Sequence, residues 1–328
     1  MSAVSAPAPA ALEELVEGGR RLEPHAVGRL ISLFQDRRTE AAESRQAVLK
    51  MLDARGRAQD AVVIGVTGTP GSGKSTLLGR VGAELLRADD KLTVAILAID
   101  PSSPISGGAL LGDRARMRTT DDPRLFFRSE AADAELGGLS PSSFQVCRLL
   151  SRLFDCVIVE TVGIGQSEGD IRHLADHVYL VVAPLGGDEL QLMKAGIIEI
   201  PDSFVVNKCD EPAAKQTHRQ LRATLWLARP DDGDQLPVFL TSAKTGEGIE
   251  ALRDAFATQI AAGTVTDPSA RDRYFFERWV KDEWGRAGLV HLHGPLGGAS
   301  VLLGDDGDLD RASAAFNASF QSAIGAQA

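Results

Sequence analysis

The pattern of apolar and polar residues along the chain changes twice and divides it into three parts. Over residues 1–57, apolar residues recur at helical spacing, most clearly in 26–34 and 47–52, which predicts a helical extension. Over residues 58–262, short apolar runs alternate with helix-length segments. Over residues 263–328, a helix rich in aromatic residues is predicted at 269–287.

The middle part has the pattern of a parallel sheet. The runs predicted as strands are rich in β-branched residues and lie at 62–66, 92–97, 156–159, 178–183, 204–206 and 238–240. Nearly continuous apolar strands alternating with helices indicate a mainly parallel sheet that helices cover on both faces. The predicted fold class is therefore α/β, with ligands bound beyond the carboxyl ends of the strands.

A glycine-rich loop follows the first predicted strand. Residues 68–75 read Gly-Thr-Pro-Gly-Ser-Gly-Lys-Ser, the G-x-x-x-x-G-K-S pattern of a phosphate loop. Glycines let backbone amides surround an anion, and the following helix adds positive partial charge. We expect Lys74 to contact the β- and γ-phosphates and the Ser75 hydroxyl to ligate Mg²⁺. The other residues of this loop expected to bind the nucleotide are Gly71, Ser72, Gly73 and Thr76.

Two acidic residues lie at the carboxyl ends of predicted strands. Asp100 comes shortly after the strand at 92–97, and Glu160 directly follows the strand at 156–159. Mg²⁺ prefers hard oxygen ligands, so each carboxylate is expected to bind the metal directly or through water, or to orient the attacking water. A simple capping role remains the alternative for Asp100. Gly163 is expected to contact the γ-phosphate through its amide and to move when that phosphate leaves.

Two later motifs indicate a guanine base. Residues 207–210 read Asn-Lys-Cys-Asp, and residues 242–244 read Ser-Ala-Lys, each after a predicted strand. Asp210 is expected to accept two N–H hydrogen bonds from guanine, and adenine lacks that donor pair, a mismatch that costs on the order of a few kcal/mol. Asn207 and Lys208 are expected to brace the base and the phosphate loop, and the Ala243 amide to meet the guanine O6. The full set of expected base-binding residues is Asn207, Lys208, Asp210, Ser242, Ala243 and Lys244.

Composition narrows the classes of partner and compartment. Lys and Arg number 35 against 45 Asp and Glu, and the net charge of −10 argues against broad binding to nucleic acid or an anionic membrane. No apolar stretch approaches the length of a transmembrane helix, and the first residues lack the pattern of a secretory signal. Cys147, Cys156 and Cys209 are scattered, which fits thiols in a reducing cytoplasm.

The segments between the motifs resemble one family. Residues 100–117, 160–168 and 184–196 are similar to the three switch segments of the MeaB/MMAA-type (ArgK-like) P-loop GTPases, which chaperone adenosylcobalamin-dependent acyl-CoA mutases. The resemblance runs from the N-terminal helices to about residue 260. It implies a P-loop NTPase fold with an N-terminal helical extension, a homodimer, and a dimerisation arm in residues 263–328.

The resemblance also implies roles for individual residues. Asp100 and Asp113 match metal-site and switch carboxylates, Glu160 matches a metal-linked catalytic carboxylate, and Lys194 matches a third-switch lysine tied to GTPase activation. The catalytic residues expected on this basis are Lys74, Asp113, Glu160 and Lys194. The metal ligands expected are Ser75, Asp100, Asp113 and Glu160.

The function implied is GTP hydrolysis that gates adenosylcobalamin transfer from an adenosyltransferase to the mutase and protects or reactivates that mutase. Residues 128–138 depart from the family pattern because acidic and Ala residues precede Leu-Gly-Gly. The client therefore stays open among methylmalonyl-CoA, isobutyryl-CoA and 2-hydroxyisobutyryl-CoA mutases.

Three alternative functions remain at this stage. A nickel-insertion GTPase needs a Cys/His metal motif, and no Cys-Pro-His occurs in the chain. A kinase associated with basic amino-acid transport fits the guanine motif less well, and a non-catalytic nucleotide-dependent binding module would use GTP only to control docking. Two structural expectations are also open to test. The aromatic helix packs either on a second copy or on its own domain, and His291 and His293 lie on a strand, at an exposed edge or, as the alternative, as a metal pair on one face.

Overall fold

A parallel sheet of seven strands organises the described part of the chain. The computed structural model describes residues 9–36, 38–54, 61–100, 122–131, 139–161, 168–184, 197–263 and 266–325. The strands are β1 Val62–Gly68, β2 Val94–Asp100, β3 Leu125–Ala131, β4 Cys156–Thr161, β5 His177–Val182, β6 Ser203–Val206 and β7 Val238–Leu240. Their order across the sheet is β3-β2-β4-β1-β5-β6-β7, and each neighbouring pair is parallel.

Helices precede, separate and follow these strands. Before the sheet lie α1 Pro9–Arg20, α2 Pro24–Gln35 and α3 Thr39–Ala54. Between strands lie α4 Lys74–Ala88, α5 Pro141–Leu153, α6 Glu168–Leu174 and α7 Ala214–Ala228. After β7 come α8 Ile249–Ala262, α9 Pro268–His293, α10 Ala299–Leu303 and α11 Leu309–Gly325. No described helix is both long and apolar enough to span a bilayer.

Alternate strand residues face two different helical layers. Ile64 and Val66 of β1 pack with α4 and α8, whereas Val63 packs in a cluster formed by α2, α5, α9 and α11. Side chains alternate between the faces of a strand, so a strand covered on both faces is apolar at every position. This burial explains why the strand sequences are nearly continuous apolar runs, and the α/β fold predicted from them is confirmed.

One strand was missed by the sequence pattern. The six predicted strands are present with small changes at their ends, and β3 is the additional one, at the edge of the sheet beside β2. Its sequence is Leu-Phe-Phe-Arg-Ser-Glu-Ala, which is apolar for only three residues. An edge strand is less completely buried than a central strand, so its sequence carries a weaker apolar signal.

The aromatic helix packs on its own chain. Phe275 and Phe276 of α9 are buried in the same cluster as α5, and the Phe144 and Phe275 rings stack with centroids 4.0 Å apart. The expectation of a strand around His291 and His293 is wrong, because both lie at the end of α9. The imidazole of His291 is there 2.9 Å from the Ser319 hydroxyl of α11, a long-range contact that local pattern does not report.

Candidate nucleotide-binding site

The phosphate loop joins the end of β1 to the start of α4. Gly73 adopts a left-handed conformation, with φ of 82°, at the residue before Lys74 begins the helix. A Cβ at this position would lie 2.8 Å from the side-chain nitrogen of Asn207. Glycine is therefore required for two reasons, the positive φ and the close approach of a neighbouring side chain.

Lys74 is turned into the loop that precedes it. Its Nζ donates to the backbone oxygens of Gly68 at 2.8 Å and Thr69 at 3.1 Å, and its side chain is buried. The position places a positive charge inside the loop where the sequence predicts phosphate binding. Lys74 must exchange these carbonyl contacts for phosphate oxygens if it is to act on a nucleotide.

Ser75 and two buried carboxylates lie at the carboxyl edge of adjacent strands. The Ser75 hydroxyl donates to Glu160 Oε1 at 2.8 Å, and Glu160 belongs to β4, beside β1. Asp100 is the last described residue of β2 and accepts a hydrogen bond from the Ser129 hydroxyl of β3. A hydroxyl and carboxylates are the donors that Mg²⁺ prefers, so the residues present fit this ion.

Of the metal ligands expected from the sequence, Ser75, Asp100 and Glu160 lie within the described ranges and Asp113 does not. Within the described ranges, no group of three or more His, Cys, Asp or Glu side chains is arranged to hold a metal ion. A Mg²⁺ site in a phosphate loop does not require one, because the ion keeps waters and phosphate oxygens among its ligands. The protein then supplies only a few of the ligands, which agrees with the presence of Ser75, Asp100 and Glu160.

Asn207 ties the phosphate loop to the predicted base-binding loop. Its Nδ2 donates to the Ser72 backbone oxygen at 2.8 Å. Its Oδ1 accepts from the Thr241 hydroxyl and from the Ala243 amide, both at 3.3 Å. The Ala243 amide, expected to meet the base, is thus directed at Asn207 here. One buried amide side chain holds the two loops in a fixed relation.

Asp210 is held as an anion at the partly open side of this site. Its Oδ1 accepts from the Ser242 hydroxyl at 2.6 Å, and Lys244 Nζ lies 4.0 Å from its Oδ2. The hydrogen bond from Ser242 is the main reason why the pKa of Asp210 lies below its ordinary value. An ionised carboxylate offers acceptors only, which suits paired N–H donors. Lys208, two residues before Asp210, adopts a left-handed conformation, with φ of 56°.

Several predicted residues lie outside the described ranges. Asp113, Gly163 and Lys194 are among them, together with residues 101–117, 162–167 and 185–196 of the three switch-like segments. Residues 132–138 of the divergent segment are also outside. The remaining predicted residues lie at the carboxyl ends of β1, β2, β4, β6 and β7, at one edge of the sheet.

Three residues in this region were not found from the sequence. Arg80 of α4 donates to the Ala243 backbone oxygen at 3.0 Å, and Thr241 and Ser129 contact Asn207 and Asp100 as described above. None of them belongs to a recognised motif, and each partner is at least 29 residues away in the chain. Thr241 had an available signal, since it directly follows the strand predicted at 238–240, whereas Ser129 lies in β3, which the sequence pattern missed.

Comparison with known proteins matches most of this architecture. A family model described as "Methylmalonyl Co-A mutase-associated GTPase MeaB" matches residues 27–283. A putative GTPase of Pyrococcus horikoshii is 40% identical over 246 residues, which is 74% of this chain and 75% of that protein. A "Methylmalonic aciduria type A homolog, mitochondrial" of Caenorhabditis briggsae is 35% identical over 231 residues, 66% of this chain and 55% of its own length. The crystal structure of an "LAO/AO transport system kinase" superposes with a TM-score of 0.63 at 26% identity and covers 88% of both chains.

Proposed function

Because this chain belongs to the MeaB family of GTPases, we propose that it is the GTP-hydrolysing chaperone of an adenosylcobalamin-dependent acyl-CoA mutase. In this role it gates the transfer of adenosylcobalamin from an adenosyltransferase to the mutase and protects or reactivates the loaded enzyme. The client is a methylmalonyl-CoA, isobutyryl-CoA or 2-hydroxyisobutyryl-CoA mutase. The chaperone acts as a homodimer in the cytoplasm, with residues 263–328 contributing to dimerisation.

The contact between Asn207 and Ser72 is the observation that carries the nucleotide-binding part of the proposal. It joins the loop with phosphate-binding sequence to the loop with guanine-binding sequence at one edge of the sheet. A triphosphate on the backbone amides of residues 71–76 would then direct its base towards Asp210. Carboxylate acceptors there select guanine over adenine because adenine cannot supply two matching donors.

The hydrolytic step follows from the residues around Ser75. Lys74 would bind the β- and γ-phosphates, and Ser75, Asp100, Glu160 and Asp113 would hold Mg²⁺, which neutralises charge on the phosphate oxygens when it is bound. Glu160 is buried beside Ser75, so it can hold the metal or orient the attacking water without competition from bulk solvent. Loss of the γ-phosphate would release Gly163, and with it the segment that leads into α6.

The partner would act by completing an unfinished catalytic arrangement. GTPases that lack a full catalytic set hydrolyse GTP slowly until a partner supplies or orders the missing groups. Lys194 lies in the segment that resembles the third switch, and we place it as the residue through which the mutase accelerates hydrolysis. The nucleotide would then report to the mutase whether loading is complete.

A capture experiment tests the partner directly. The full chain, immobilised with a non-hydrolysable GTP analogue or with GDP, is incubated with extract of its native organism, and the retained proteins are identified by mass spectrometry. We expect an adenosylcobalamin-dependent mutase in at least one nucleotide state, and the purified mutase to raise the GTP hydrolysis rate. The matched control is Asp210→Asn, which should lose the analogue and the nucleotide-dependent capture. Absence of any such mutase in both states would contradict the chaperone role but leave GTP hydrolysis standing.

One alternative has a specific observation in its favour. The solved relative is named a transport system kinase, and a kinase transfers the γ-phosphate to an acceptor other than water. GTP labelled at the γ-phosphate distinguishes the two reactions. Label released as inorganic phosphate supports the GTPase, whereas label retained on a protein or small-molecule acceptor supports the kinase.

A further inference from the structure

A cavity of about 450 Å³ lies at the end of the sheet opposite to the phosphate loop. It is lined by Ala61 and Val63, at the start of β1, whereas the phosphate loop follows the other end of that strand. Helix α5, the first turns of α9 and the segment around α10 form its other walls. Its volume is within the range of pockets that bind small molecules, which run from roughly 300 to 1,000 Å³.

Arg271 lines this cavity and has an unused donor. The residue is 9% exposed, and its Nη2 lies 2.7 Å from Asp176 Oδ1. Its Nε is buried and finds no hydrogen-bond partner among the described residues. Buried donors on charged groups are rarely left without an acceptor, so this donor calls for one that the described residues do not supply.

Asp176 is already committed to other donors. Its Oδ2 accepts from the Val63 amide at 2.8 Å, and its Oδ1 accepts from the Thr266 amide at 2.9 Å. These bonds fix the carboxylate between β1 and the start of the C-terminal region, so it does not turn towards Nε of Arg271. No described residue therefore supplies the missing acceptor to Nε of Arg271.

The rest of the lining combines a second, partly exposed guanidinium with apolar surface. Arg148 lies 3.3 Å from Asp272 and donates to the Gly307 backbone oxygen at 3.0 Å. Phe144, Leu174 and Leu303 supply apolar walls. Asp305 and Asp306 also line the cavity, and Asp306 pairs with Arg311 at 2.7 Å. A ligand here would meet positive charge at Arg271 and apolar side chains beside it.

We propose that this cavity binds a small organic anion, a molecule with one carboxylate or phosphate group on a short apolar body. The anionic group accepts from Nε of Arg271, and the apolar body packs against Phe144, Leu174 and Leu303. The site is separate from the nucleotide site and does not depend on the function proposed above. Its occupant bridges β1, α5 and the C-terminal region, which meet at this cavity.

Calorimetric titration of the full chain at low ionic strength tests the proposal with three probes of matched apolar length. These are pentanoate, monobutyl phosphate and butan-1-ol, which share a butyl body and differ in the polar group. We expect one of the two anions to bind at least tenfold more tightly than the alcohol, and the tighter anion identifies the group that the site prefers. Equal binding of all three probes, or binding of none, would overturn the proposal.

Substitutions at Arg271 then test whether the preferred anion binds in this cavity. Arg271→Gln should weaken the preferred anion at least tenfold, and Arg271→Lys should retain part of the affinity. Arg87→Gln, on the exposed surface of α4, is the control and should change nothing. Unchanged affinity in Arg271→Gln would place the anion elsewhere and refute the assignment.

A second variant covers the case in which loss of the Arg271–Asp176 pair unfolds the protein. Ser300 lines the cavity but is exposed, so Ser300→Trp adds bulk at the cavity without removing an ion pair. We expect this variant to melt at the wild-type temperature, to bind GTP normally and to lose the anion. Full anion binding in a folded Ser300→Trp protein would count against this cavity as the site.

Discussion

Arg278 of α9 donates a hydrogen bond of 2.6 Å to the carboxylate of Asp170 in α6. Asp170 is only 2% exposed, and the Tyr274 hydroxyl donates to the same oxygen at 2.7 Å. The ring of Tyr274 also stacks on His173 of α6, with centroids 3.7 Å apart. The C-terminal helix is therefore anchored to the helix that directly follows the segment resembling the second switch.

Removing Arg278 should destabilise the fold more than removing the Tyr274 hydroxyl. Burial raises the pKa of Asp170, and Arg278 and Tyr274 counteract this shift. Arg278→Ala leaves a buried carboxylate without its cation, which costs about 3 kcal/mol, the lower end of the usual range because Arg278 is partly exposed. Tyr274→Phe removes one hydrogen bond to a charged group and should cost about 1.5 kcal/mol.

Urea denaturation measures both losses in the free energy of unfolding. Arg87→Ala, a surface arginine of α4, is the control and should lie within about 0.5 kcal/mol of the wild type. If Arg278→Ala is as stable as this control, the contact does not anchor α9 to α6.

Asp210→Asn should change the base preference of the nucleotide site. The amide presents a donor where guanine also has a donor, so GTP binding should weaken by roughly a hundredfold, equivalent to a few kcal/mol. Xanthosine triphosphate has an acceptor at that position and should gain affinity. Titration calorimetry with both nucleotides measures the exchange, and Asp231→Asn is the surface control. Unchanged GTP affinity would remove Asp210 from the base-binding site.

Glu160→Gln should separate GTP binding from GTP hydrolysis. The amide keeps the shape of the side chain beside Ser75 but loses the charge that holds a metal or directs water. We expect GTP to remain bound while the single-turnover rate falls by roughly a hundredfold or more. The exposed Glu250→Gln serves as the control. Wild-type hydrolysis in Glu160→Gln would assign the catalytic carboxylate to another residue.

The buried Glu130 should make stability depend on pH. Burial raises the pKa of this carboxyl from 4.5 to about 7, and Gln35 Nε2 donates to its Oε1 at 2.8 Å. The folded state therefore holds a proton that the unfolded state releases between these two values. The stability from this group is complete below pH 4.5 and is lost as the pH rises through 7.

Glu130→Gln should remove this dependence. Relative to wild type, the variant should gain on the order of a few kcal/mol at pH 8 and little at pH 4.5, as measured by urea denaturation at both pH values. Glu40→Gln, an exposed glutamate of α3, should show no such difference. An equal change in stability at both pH values would mean that Glu130 does not titrate differently in the folded state.

The local features of the nucleotide site could be predicted from the sequence. The phosphate loop, the guanine motif and six of the seven strands could be recognised, because each depends on residues that are adjacent or regularly spaced. Buried parallel strands require an apolar residue at every position, and a phosphate loop requires glycines at fixed intervals. A short stretch of sequence is therefore enough to recognise each of these features.

Other features were decided only by the tertiary structure. Strand β3 is only partly apolar, so its place at the sheet edge depends on β2 beside it. Arg278 and Asp170 are 108 residues apart, and Asn207 and Ser72 are 135 apart. Arginine and aspartate occur throughout ordinary surfaces, and nothing in the local sequence distinguishes Arg278 and Asp170. Asn207 and Ser72 belong to recognised motifs, and only the atoms through which they meet were left to the tertiary structure. Such contacts are set by the spatial order of the strands in the sheet, which brings distant parts of the chain together.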